Sequence, residues 1–134
     1  MKTQSFVSIT LVVLVLSVFI SCSEQKKEQQ LTVLAWNVWH AGHSKAYGQQ
    51  ACDGTIGILK KSQADVILMV ETYGAAPMIA DSLGYDYYLI SSNLCIFSRY
   101  PIIKKYTFPD VIDTFNFGGV EIDMDGTPVR LFDT

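Results

Sequence analysis

Residues 64–72 read A-D-V-I-L-M-V-E-T. The five apolar residues from Val66 to Val70 lack the polar alternation of a half-exposed strand. A short run of this kind fits a strand covered on both faces, as in a parallel pair inside an α/β fold. The run stops abruptly at Glu71. Ionised carboxylates avoid apolar surroundings unless they are paired or bound to a cation. Glu71 is therefore either the solvent end of the strand, capping the next turn, or a ligand-binding position, and spacing alone leaves both open.

Upstream, residues 33–40 read V-L-A-W-N-V-W-H. Residues 31–38 predict a strand with both faces largely apolar, interrupted by Asn37, whose amide requires a partner. The loop A-G-H-S-K follows, then a helix over 49–62, where Cys52, Ile56 and Leu59 form one apolar stripe and Lys60-Lys61 suit the negative end of the helix dipole. Gly54 and Gly57 weaken that helix unless they mark close packing on a sheet. Downstream, a short helix over 77–83 ends at Gly84. Strands follow over 87–91, 94–98, 102–108, 115–123 and 128–133, and Asp125-Gly126 is a hairpin turn between the last two. The order predicts an α/β sandwich with a mixed sheet and flanking helices.

A strand–helix–strand crossover makes the strands at 31–38 and 65–70 parallel. Their carboxyl ends then share one sheet edge, where open α/β sheets bind ligands. Asn37 closes the first strand and Glu71 the second. With neighbouring strands ~4.8 Å apart, the amide and the carboxylate are expected to meet, directly or over a shared ion. Mg²⁺ suits such a place, because it takes one or two carboxylates together with water and phosphate oxygens.

The chain has 134 residues, 49% hydrophobic and 17% charged, which fits one globular domain. Met1-Lys2, the apolar run over 6–20 and Ser21-Cys22 resemble a bacterial lipoprotein signal, in which cleavage leaves Cys22 as a lipidated N-terminus. An uncleaved membrane anchor is the alternative. The expected organisation is a signal peptide over 1–21, a polar tether over 22–30 and a domain over 31–134, exported and held on a membrane surface of the bacterial envelope. Without residues 1–21 the chain keeps 9 basic and 13 acidic residues, net −4. No basic stripe is visible, so nucleic acid is not a favoured partner. Cys52 and Cys95 read as buried free thiols, with a disulfide between them in an exported protein as the alternative. No C-x-x-C occurs to suggest structural zinc.

Four segments, A-W-N-V, A-D-V-I-L-M-V-E-T, L-C-I-F-S-R-Y-P-I and V-R-L-F-D-T, resemble in order and spacing the opening half of the endonuclease/exonuclease/phosphatase superfamily of deoxyribonuclease-I-like phosphoesterases. The resemblance covers 31–134. It implies a two-sheet α/β sandwich that hydrolyses phosphate esters with Mg²⁺ or Mn²⁺. Glu71 would be a metal ligand, and Asn37 would contact phosphate or orient the metal. The metal would neutralise charge developing at phosphorus while water attacks in line.

Smaller expectations attach to other residues. His40 and His43 are candidates for phosphate or metal contact, His40 the better placed, with plain surface residues as the alternative. Arg99 is a candidate phosphate contact or simply part of a turn. Trp36 and Trp39 read as core, with a substrate-stacking platform as the alternative. Thr72 is expected to cap the chain after Glu71.

Relatives typically continue past D-T with a histidine, then a G-D-x-N segment and a terminal S-D-H; none of these occurs in the 134 residues. The 134 residues are therefore expected to bind metal but turn over poorly, as an N-terminal fragment. They are also expected to supply roughly one of the two sheets, with an exposed apolar face and an open edge at 128–133. A non-catalytic surface lipoprotein using the half-fold as a binding module is the second reading. A carboxylate-pair glycosidase is weaker, because only Glu71 stands at a strand end.

Overall fold

The computed structural model describes residues 28–42, 48–108 and 117–134. The signal sequence, Cys22 and His43 lie outside the described residues. Among those described, no helix is long and apolar enough to cross a membrane. Residues 31–134 form one compact unit. Its elements are β1 (Val33–Asn37), a 3₁₀ turn (Trp39–Gly42), α1 (Gly48–Ser62), β2 (Val66–Val70), α2 (Ala76–Leu83), β3 (Asp86–Leu89), β4 (Leu94–Ser98), β5 (Ile102–Tyr106), β6 (Gly118–Met124) and β7 (Thr127–Asp133).

The strands form two sheets, ordered β1-β2-β4-β3 and β5-β6-β7. β1 and β2 are parallel, as the crossover requires, with Val33 opposite Val66 and Asn37 opposite Val70. β4 runs antiparallel to both β2 and β3. One face of this sheet buries Ile67, Met69, Cys95 and Phe97 against Leu59 of α1 and Ile79 and Ala80 of α2. In α1 the stripe is as expected, with Cys52 and Leu59 buried. Gly54 and Gly57 do not mark close packing, because a β-carbon at either would meet nothing within 4 Å. Gly84 ends α2 in the left-handed conformation, its N–H donating to the Ala80 carbonyl. Cys52 and Cys95 are buried free thiols.

The opposite face corrects the one-sheet expectation. β5, β6 and β7 form a separate antiparallel sheet, and Val120 and Ile122 of β6 pack with Val66 and Ile96 in a second core. All four are fully buried, each contributing about 1.5–3 kcal/mol by removal from water. The Asp125-Gly126 turn has both residues at positive φ, 51° and 85°, as a tight hairpin needs. At β1 the cover is thinner: Leu31, just before the strand, packs on the second core, whereas Val33 is 44% exposed.

Candidate functional site

At the carboxyl edge of β1 and β2, both strands turn sharply in place of running on. Val38 donates its N–H to the Val70 carbonyl at 3.2 Å, and Ala41 donates to the Glu71 carbonyl at 2.8 Å. Val38 and Ala41 are buried, so the 3₁₀ turn is pinned to the core on both sides of Trp39 and His40, which are exposed. The second turn follows the same pattern: Thr72 and Ala75 are buried, Ala75 donates to the Thr72 carbonyl, and Tyr73 is exposed.

Four residues other than glycine hold positive φ here: His40 (49°), Ala41 (53°), Glu71 (66°) and Tyr73 (35°). Such conformations cost roughly 1 kcal/mol or more each. They persist only where surrounding contacts enforce them, and they concentrate at functional sites.

The left-handed Glu71 swings its carboxylate to the 3₁₀ turn, where Oε2 accepts the His40 backbone N–H at 3.3 Å. Asn37 and Glu71 thus share the sheet edge, but Glu71 is held by the His40 backbone and the two side chains are not hydrogen-bonded to each other. The Asn37 amide is exposed. The His40 ring stacks on Tyr73 with centroids 4.7 Å apart.

Asn93, which the sequence reading missed, anchors this edge. Its Oδ1 accepts the Glu71 N–H at 3.0 Å, and its carbonyl accepts the Thr72 N–H at 3.1 Å. Thr72 is therefore a buried link to Asn93 as well as a turn former. The signal for Asn93 is register: with Val70 opposite Leu94, residue 93 must lie beside residue 71.

Arg99 is not brought to this edge. It follows β4 at the far end of the sheet, about 20 Å from Glu71 along β2 at 3.3 Å per residue. There its guanidinium meets Asp65 Oδ1 at 2.9 Å and the Tyr85 hydroxyl at 3.0 Å. A cavity of about 360 Å³ beside Asp81, Tyr85, Asp86 and Lys105 also belongs to that far end. Trp36 packs on the helix-side core as read, whereas Trp39 is 79% exposed. The correction has a simple cause, since Val38 and Ala41 already fill the space beneath the turn.

At the end of β7, Asp133 is buried. One oxygen accepts the Thr134 N–H at 3.1 Å, and Oδ2 has no hydrogen-bond partner. Burial pushes the Asp133 carboxyl above its ordinary value. Burial first, and then the Asp133 charge, push the Cys95 thiol up as well, which leaves it inert as a nucleophile.

Among the described residues, no three His, Cys, Asp or Glu side chains gather as a metal cluster. The Glu71 carboxylate and the Asn37 amide oxygen are hard donors, and one carboxylate supplemented by water and phosphate suffices for Mg²⁺. The donor set fits such an ion in kind.

No protein-family model and no curated protein matches the sequence. Solved structures do match. Humanised TDP2 from D. rerio aligns at TM-score 0.62 and 15% identity over 76% of this chain and 45% of its own. TDP2 from Caenorhabditis elegans aligns at 0.62 and 17% over 86% of this chain and 38% of its own. An endonuclease/exonuclease/phosphatase family protein from Leptotrichia buccalis aligns at 0.55 and 18% over 78% of this chain and 54% of its own. The chain spans about half or less of the length of these structures. Its mixed sheet, antiparallel sheet and two helices form a partial domain of the deoxyribonuclease-I-like fold of the endonuclease/exonuclease/phosphatase proteins.

Proposed function

We propose that this chain carries the metal-binding part of a divalent-metal-dependent phosphoester hydrolase. The observation that carries the reading is the bonded pair His40 and Glu71 beside Asn37 at the carboxyl edge of two parallel strands, with His40 and Glu71 in backbone conformations that cost free energy and Glu71 held in its own by Asn93. Glu71 would hold Mg²⁺ or Mn²⁺, with the Asn37 amide oriented toward the metal or the phosphate. The ion supplies charge neutralisation at phosphorus when bound. The His40 backbone N–H fixes one carboxylate oxygen of Glu71, and the two pinned turns keep the carboxylate at the sheet edge. In this reading residues 31–134 supply metal and phosphate binding, and no residue among them is assigned as the general base. Cys22 carries a lipid, and the enzyme works on a membrane surface of the envelope.

The test uses the full-length protein with bis-p-nitrophenyl phosphate and Mg²⁺. Glu71→Gln is expected to lower Mg²⁺-dependent hydrolysis at least about 100-fold with the circular dichroism spectrum unchanged. Unchanged hydrolysis in that variant would overturn Glu71 as the metal ligand, and no Mg²⁺-dependent hydrolysis by the parent would favour a binding module.

A further inference from the structure

The three aromatic rings at the site are the feature that metal and phosphate binding leave unused. Trp39 is 79% exposed and Tyr73 46% exposed, neither as part of a hydrophobic core. The His40 ring lies between them, 6.2 Å from Trp39 and stacked at 4.7 Å on Tyr73 with planes 28° apart. Exposed apolar side chains gathered in one patch, unlike ones scattered singly, mark a binding surface. These rings are also held in place. Their turns are pinned by buried Val38, Ala41, Thr72 and Ala75 and tied together by the Ala41 N–H to Glu71 carbonyl bond. His40 and Tyr73 occupy each other's facing sides, so the outer faces of the group, Trp39 tilted 38° from His40 among them, offer a stacking surface that loses little freedom when a planar group settles on it. Its position follows from one hydrogen bond, because the residue carrying the central ring, His40, also donates its backbone N–H to the Glu71 carboxylate.

From this juxtaposition we infer that Trp39, His40 and Tyr73 form a stacking subsite for an aromatic ring carried by the phosphoester, so that the preferred substrates are nucleoside phosphates or other aryl-bearing esters. The inference rests on the phosphoesterase reading for the phosphate and on the rings alone for the planar group. Base stacking on aromatic side chains is tolerant of sequence and needs no basic stripe, which agrees with the net charge of −3. An aliphatic chain would gain from the same apolar area but not from face-to-face stacking on a ring.

The test compares adenosine 5′-monophosphate with ribose 5-phosphate, which differ only in the base, on the full-length protein with Mg²⁺. Binding to the parent and to every variant is followed by isothermal titration calorimetry, and in the parent also at the indole N–H resonance of Trp39, assigned by its loss in Trp39→Phe. The nucleotide is expected to bind about ten-fold more tightly. Trp39→Ala should erase that difference and leave ribose 5-phosphate unaffected, while Trp39→Phe should keep most of it. Equal affinities in the parent, or a difference that survives in both Trp39→Ala and Tyr73→Ala, would overturn the subsite. If neither phosphate binds, the phosphoesterase reading fails, and adenosine alone still decides the platform. A shift of the Trp39 resonance upholds it, and no shift ends it. Broadening of that resonance by phosphatidylcholine vesicles without a response to adenosine would assign the rings to a lipid surface and overturn the inference.

Discussion

The Glu71 backbone N–H donates to Asn93 Oδ1 at 3.0 Å, across the gap between the end of β2 and the start of β4. This bond joins residues 22 apart in sequence and holds Glu71 in a left-handed conformation that its own side chain disfavours. The carboxylate is thereby turned off the axis of β2 and toward the 3₁₀ turn, within reach of the His40 N–H. Asn93 acts as a positioning residue, and Glu71 is the group it positions.

Replacing Asn93 by leucine removes that acceptor and frees Glu71 to relax toward extended backbone. The Mg²⁺ concentration for half-maximal hydrolysis by the full-length protein is expected to rise about 10–100-fold, the usual cost of losing support behind a metal ligand. Asn93→Asp restores an acceptor and should recover part of the loss. A Mg²⁺ dependence that is unchanged in Asn93→Leu would show that Glu71 needs no such support.

Arg99 gives a prediction of the opposite kind. Its guanidinium bridges Asp65 and Tyr85, and Asp65 in turn accepts the Thr32 N–H at 2.9 Å, which ties the chain entering β1 to the far edge of the sheet. Because Arg99 is 44% exposed, Arg99→Gln should cost only about 1 kcal/mol. That corresponds to a melting temperature lower by roughly 4–8 °C for a domain of this size. KM for a phosphoester should stay within about two-fold, since about 20 Å of sheet separates Arg99 from the opposite edge, well beyond a Debye length. A large rise in KM with unchanged melting temperature would return Arg99 to the role of phosphate contact.

Much of this arrangement is legible from local pattern. The unbroken run of Val66–Val70 and its halt at Glu71 place β2, and the helix between two apolar strands makes β1 and β2 parallel, so Asn37 and Glu71 fall on one edge. What is not legible depends on distant pairing. Alternation in β6 and β7 marks them as strands but is silent on which sheet they join, so their packing of Val120 and Ile122 on Val66 and Ile96 was missed. Trp39 looks like core because its neighbours are apolar, yet Val38 and Ala41 occupy the space below it. Asn93 carries no local signal at all, because its partner is defined by the β2–β4 register.

Gly119 and Gly54 make a matched pair for stability. A β-carbon on Gly119 would stand 2.7 Å from the Leu131 carbonyl oxygen and closer still to the Phe132 ring. The oxygen belongs to the β6–β7 ladder and cannot swing aside. Gly119→Ala is expected to destabilise by about 1–3 kcal/mol, as overpacking does. Gly54 is exposed within α1 and its β-carbon would meet nothing, so Gly54→Ala should stabilise by about 0.5–1 kcal/mol. Thermal unfolding followed by circular dichroism separates the two, and equal shifts of one sign would contradict the packing around Phe132.

Asp133 makes stability depend on pH in a direction opposite to most acids. Its carboxyl is raised above the ordinary 3.8 by burial, partly offset by the Thr134 N–H. Between the unfolded and folded values the native state holds the proton more tightly, so stability falls as pH rises through that interval and is constant above it. Glu121, beside Arg130 and Tyr106, is lowered and contributes in the reverse sense: its stabilisation is present above its unfolded value and is lost as pH falls through the folded one. Asp133→Asn leaves Glu121 untouched and keeps an acceptor for the Thr134 N–H, so it isolates the first effect. The variant should be more stable than the parent at pH 7, by about 1 kcal/mol for relieving one unpaired buried charge. The gap should narrow as pH falls toward 4. Urea unfolding at several pH values between 4 and 7 measures it. A gap that is independent of pH would mean that the unpartnered Oδ2 costs stability through its hydrogen bonding and not through its charge.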